Sequence, residues 1–133
     1  MQQLAFQVEL PIGFAEAIDL VTRALKEKGF GVLTHIDVKA TLKEKIDEEF
    51  RPYAILGACN PKLAHRALSS DSRAGLLLPC NVTVEESENG AVISIINPEA
   101  MLASVDLSSN PDVRGVADEA RALLESVAQG LKA

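Results

Sequence analysis

Two dipeptides hold the side chains of this chain best suited to chemistry: Cys59-Asn60 and Cys80-Asn81. They contain its only two cysteines. A thiol becomes a nucleophile or metal ligand as the thiolate, and an amide beside it can orient a ligand by both donating and accepting hydrogen bonds. Cys59 immediately precedes Asn60-Pro61, a strong helix start. Asn accepts from the free amides of a first turn, and Pro at the next position gives up a donor that would be unpaired anyway. The positive end of a helix favours a thiolate, and Lys62 and Arg66 add positive potential. One reading of Cys59 is therefore a reactive or metal-binding thiol. The other is a small apolar side chain tucked under the turn, because free Cys is among the most buried residue types.

Cys80 alternates with Leu78, Val82 and Val84, which reads as a core-facing set. Asn81 falls on the opposite face with Thr83 and Glu85. Pro79 cannot donate to a ladder, so it marks a sheet edge or a bulge, and bulges often border sites. With His35 and His65 the cysteines make four candidate zinc ligands in number. Their spacing contains no Cys-x-x-Cys and nothing that makes them converge. A phosphate-cradling glycine loop, a Gly-x-Ser-x-Gly elbow and a His-Glu-x-x-His helix are all missing from the sequence. No cofactor can be named from these residues.

The elements that must position these groups are read from periodicity. Leu4, Phe6, Val8 and Leu10 alternate with polar residues as a strand. Phe14, Ala17, Ile18, Val21 and Leu25 follow one helix face, which Gly29 ends. A strand from Phe30 to Val38 is expected to set Phe30, Val32, Ile36 and Val38 on one side and Leu33, His35 and Asp37 on the other. Asp37 then caps a short helix over Lys39 to Ile46. Tyr53 to Cys59 reads as a strand and the segment from Pro61 as a helix with a Leu63, Ala64, Ala67, Leu68 stripe. Gly75 to Glu86 is expected as one long strand. Glu88-Asn89-Gly90 is a hairpin turn in which Asn and Gly accept positive φ, and Ala91 to Asn97 returns. A stretch from Pro98 to Ser109, irregular but for one helical turn expected around Met101, leads to Asn110-Pro111 and a last helix to about Leu131. This order predicts an α+β fold with helices on one face of a mainly antiparallel sheet of about five strands.

The totals narrow the partners. At 133 residues, 47% of them hydrophobic and 24% charged, the chain is expected to form a single domain over residues 1–133. A net charge of -6 opposes nucleic-acid or anionic-membrane binding, which needs clustered Lys and Arg. The first residues lack a signal-peptide pattern and no apolar run is long enough for a membrane span. The expected location is cytoplasmic, where two cysteines are reduced thiols. Leu76-Leu77-Leu78 and Ile93-Ser94-Ile95-Ile96 would place large groups on both sheet faces. Helices cover one face, so the other is expected to meet a ligand or a second subunit, with a homodimer the favoured assembly.

The segments Gly31-Val32-Leu33-Thr34, Ile36 to Lys45, Arg51 to Pro61, Leu76 to Val82 and Pro98 to Leu102 together resemble the domain of unknown function 302 family. The Ala58-Cys59-Asn60-Pro61 and Leu78-Pro79-Cys80-Asn81 runs are the most specific. The resemblance implies a TATA-binding-protein-like α+β fold, usually homodimeric, in bacteria and archaea. It brings no established activity, substrate or cofactor, and fold similarity gives no licence for DNA binding. The functional expectation is a homodimeric small-molecule or metal-binding protein, with Tyr53, Cys59, Asn60, Cys80 and Asn81 as candidate ligand-binding residues. The alternative is a thiol-dependent enzyme or redox sensor using Cys59.

Overall fold

The computed structural model describes residues 3–103 and 106–132. Its elements run β1 (Ala5–Leu10), α1 (Phe14–Glu27), β2 (Gly31–Asp37), α2 (Val38–Ile46), β3 (Tyr53–Cys59), α3 (Pro61–Ser70), a 3-10 turn (Ser72–Leu77), β4 (Cys80–Ser87), β5 (Gly90–Ile96), α4 (Pro98–Leu102), a second 3-10 turn (Asp106–Ser109) and α5 (Pro111–Lys132). The strands form one five-stranded sheet in the order β1-β5-β4-β3-β2. Every neighbouring pair is antiparallel. The two edge strands are therefore parallel to each other, and α1 carries the chain across the sheet between them.

One face of the sheet is dry. Phe6 and Val8 of β1, Ala54, Leu56 and Ala58 of β3, Cys80, Val82 and Val84 of β4 and Ala91, Ile93 and Ile95 of β5 are all buried. The apolar stripes of α1 (Ala17, Val21, Leu25) and α5 (Val113 through Leu131) cover them. The helix stripes and the strand alternation therefore select the same side, which is what one core requires. The turn ending α1 depends on glycine: Gly29 has φ +85°, and Phe30 N donates back to Leu25 O at 2.9 Å.

Three local expectations need correction. The chain from Gly75 to Leu78 is not strand; Ser72–Leu77 is a 3-10 turn and β4 begins at Cys80. Asp71 caps that turn by accepting from Arg73 N at 2.9 Å, and Pro79 has no N–H for a ladder, so the apolar run cannot extend β4 backwards. Leu76 is consequently 85% exposed rather than set on a sheet face. In β2 the register shifts between Val32 and Thr34. The bulge at Leu33 reverses the alternation, so Ile36 pairs with Ile55 and leaves the side that Val32 occupies. In the β4–β5 hairpin the positive φ falls at Gly90, not at Asn89. The helical turn expected around Met101 is present as α4, started by the Asn97 cap.

The second sheet face is mixed rather than apolar. Gln7 Nε2 donates to Ser94 Oγ at 3.0 Å and Ser87 Oγ donates to Glu9 Oε2 at 2.8 Å. Thr83 stands between Ser94 and the apolar Ile55. Polar pairs at its centre let this face meet water. The expectation that the whole second face must be covered is corrected accordingly.

Candidate functional site

Three Asn-Pro dipeptides start three helices around one end of the sheet. Asn60 Oδ1 accepts from Leu63 N at 3.3 Å and so starts α3. Asn97 Oδ1 accepts from Glu99 N at 3.1 Å and starts α4. Asn110 Oδ1 accepts from Asp112 N and Val113 N at 2.9 and 3.2 Å and starts α5. Asn97 is 3% exposed, the one buried polar residue among those described, and its amide Nδ2 also donates to Gln3 O at 2.9 Å. That second bond ties α4 to the start of β1.

These helices and the ends of β3 and β4 enclose a cavity of about 60 Å³. One water needs roughly 10–15 Å³, so the space admits a small molecule of a few heavy atoms. Its walls combine Ala58, Leu63, Ala67, Leu77, Met101 and Val116 with Cys59, Asn60 and Cys80. The polar groups available to an occupant are therefore two thiols, the Met101 thioether, one amide and the main chain. A dry wall with a few oriented groups is the ordinary composition of a small-molecule site.

The two thiols differ. Cys80 is buried while Cys59 is partly accessible, and neither is in a disulfide. Burial pushes the Cys80 thiol up from 9.0 to about 11, and a charge on Cys59 pushes in the same direction. Cys80 therefore stays protonated at neutral pH. By register, Ala58 stands opposite Cys80, so Cys59 and Cys80 occupy adjacent positions at the ends of neighbouring strands.

The structure brings together Cys59, Asn60 and Cys80 and separates them from Tyr53 and Asn81. Tyr53 begins β3 and Cys59 ends it, a separation of about 20 Å at the rise of a strand. Tyr53 instead packs edge-on to Phe50 with ring centroids 6.1 Å apart. The Arg51 guanidinium lies 4.6 Å from the Phe50 ring centre and pairs with Glu85 at 2.8 Å. Asn81 is exposed and faces Gly57 on the open side of the sheet. Pro79 precedes β4 across a cis peptide bond, and its ring lies over Gly57: a Cβ added there would sit 2.7 Å from Pro79 Cγ and would also meet Thr34 Oγ1.

The imagined four-ligand zinc site does not form. His35 is on the exposed edge strand and His65 is on the outer face of α3, 3.5 Å from Ser69 Oγ. Among the described residues, no three His, Cys, Asp or Glu side chains gather as a metal site would need. Sequence reading missed Met101, Leu102 and Pro98 as cavity walls. The available signal was Asn97-Pro98, the same dipeptide that marks the other two helix starts.

A small α+β domain with an antiparallel five-stranded sheet and an apolar chamber at one sheet end is the class that fold and site define. The profile of the domain of unknown function DUF302 matches residues 6–131, and the chain belongs to that family. It is similar to the crystal structure of an uncharacterized conserved DUF302 protein from Bacillus stearothermophilus, with 26% identity and a TM-score of 0.84 over 96% of this chain and 98% of that one. No curated protein matches it. Among the described residues, no helix is long and apolar enough to cross a membrane.

Proposed function

We propose that this protein binds a small, largely apolar molecule in the chamber at the β3–β4 end, and that it works as a homodimer. The observation that carries the reading is that Cys59, Asn60 and Cys80 line one mainly apolar cavity. Apolar walls supply the driving force by removing ligand surface from water. Asn60 spends its oxygen on the α3 cap, so the group it offers an occupant is its Nδ2 donor. The mainly apolar lining favours an organic occupant over zinc. A cytoplasmic location remains part of this reading.

Native mass spectrometry of protein purified without denaturation tests it. The expected spectrum shows added mass that disappears under denaturing conditions and is lost in an Ala117→Leu variant, which fills the chamber. Identical masses in both conditions, with no ligand uptake from a small-molecule panel, would defeat the proposal.

A second reading has its own observation. Cys59 is partly accessible beside the start of α3, whereas Cys80 is buried and its thiol is pushed up to about 11. That asymmetry suits a thiol enzyme or redox sensor in which Cys59 alone reacts. Iodoacetamide at pH 7.5 should then modify Cys59 at least about ten-fold faster than Cys80, since only thiolate attacks. Equal, slow labelling of both would remove this reading.

A further inference from the structure

Three of the six exposed large apolar side chains among the described residues fall in one stretch of chain. Leu33 is 69% exposed, Ile36 47% and Ile46 62%, and all three belong to β2 and the helix that follows it. Helix α2 has no buried residue along its whole length. Helices in folded proteins are stabilised chiefly by packing an apolar face, and an isolated nine-residue helix is marginal in water. The caps of α2 are well made: Asp37 Oδ1 accepts from Ala40 N at 2.9 Å, and Asp47 closes the other end with φ 56°. Caps alone leave Leu42 and Ile46 unused. Beside them, β2 is an edge strand, whose outer backbone groups have no strand partner within this sheet.

We infer that the strip from β2 through α2 to Arg51 is the surface on which a second copy of this chain seats. This rests on the homodimer reading and supplies its interface. Charge argues for a copy of the same chain. The chain carries -6 overall, yet the strip over residues 31–51 is nearly balanced, with four basic residues (Lys39, Lys43, Lys45, Arg51) and five acidic ones (Asp37, Glu44, Asp47, Glu48, Glu49). Two acidic molecules repel each other over most of their surfaces and do not over this strip. A two-fold axis brings both signs of one copy against both signs of the other, so the surface is complementary to itself. Size argues the same way: the strip's roughly 20 residues match the ~20–30 per side of a standard interface. An apolar centre formed by Leu33, Ile36 and Ile46 with a charged rim has the anatomy of such a contact.

The second apolar spot is Leu68 with Leu76. It lacks an edge strand and an unpacked helix, and it serves as the control. Sedimentation equilibrium at about 50 µM chain should give twice the chain's 14.2 kDa. A Leu33→Lys/Ile46→Lys variant should sediment at the single-chain mass with an unchanged circular dichroism spectrum, and Leu76→Lys should stay dimeric. If the double variant misfolds, the single Ile46→Lys variant on the outermost helix is expected to raise the dissociation constant at least ten-fold. A wild-type dimer that survives the β2–α2 substitutions, or that Leu76→Lys splits, overturns this interface and leaves the homodimer standing. A wild-type monomer overturns both.

Discussion

Cys80 and Gly57 show how much single side chains control at this sheet end. The Cys80 thiol is pushed from 9.0 to about 11 by burial first and by Cys59 second. The sign follows from proton counting. Between pH 9 and 11 the folded protein keeps a proton that the unfolded chain has lost, so stability is full below about 9 and falls as pH rises toward 11. Urea unfolding at pH 8 and pH 10.5 should show that drop in wild type, and a Cys80→Ala variant should show less of it. Gly57 makes a different demand. An added Cβ there would lie 2.7 Å from Pro79 Cγ, and neither the ring nor the strand has room to give. Gly57→Ala should therefore lower the unfolding free energy by about 1–3 kcal/mol, the usual cost of overpacking, measured by urea titration.

At the scale of elements, the Asn-Pro starts decide where the chamber walls stand. Asn97 serves twice, capping α4 and bonding Gln3 O from a buried position. Asn97→Ala loses both the cap on α4 and the bond to Gln3 O. A loss of about 1–3 kcal/mol is expected by thermal or urea unfolding, with weakened ligand retention because Pro98 and Met101 shift. Asn97→Asp keeps the acceptor and should recover part of the loss. Strands and long helices were legible in the sequence because their periods repeat: Phe6, Val8 and Leu10 for β1, Val113 to Leu131 for α5. Leu76-Leu77-Leu78 was misread because a short apolar run fits a strand and a helical turn equally well. What settles it is the Asp71 cap and Pro79 together. The β2 bulge was illegible since it depends on the partner strand's register and not on any residue type within β2. For the site, Cys59, Asn60 and Cys80 were found from their types alone. Tyr53 was placed with them only by proximity in sequence, and a strand carries its two ends far apart.

At the scale of the whole molecule, the sheet divides its work. One face holds the core under α1 and α5, one end holds the chamber, and the β2 edge with α2 holds the unburied apolar surface. On the proposed reading, ligand and assembly use separate parts of the same chain, and each can fail without the other. Filling the chamber by Ala117→Leu should abolish ligand binding and leave the sedimentation mass unchanged. The most direct test of the central claim is a methyl NMR titration of the full chain with xenon, a single apolar atom of the kind that small apolar cavities bind. Binding there predicts saturable shifts at the Leu63, Met101 and Val116 methyl groups, with little change at the Leu33 and Ile46 methyls and none of these shifts in Ala117→Leu. Shifts that never saturate, or that appear at Leu33 and Ile46 while Leu63 and Val116 stay fixed, would contradict it.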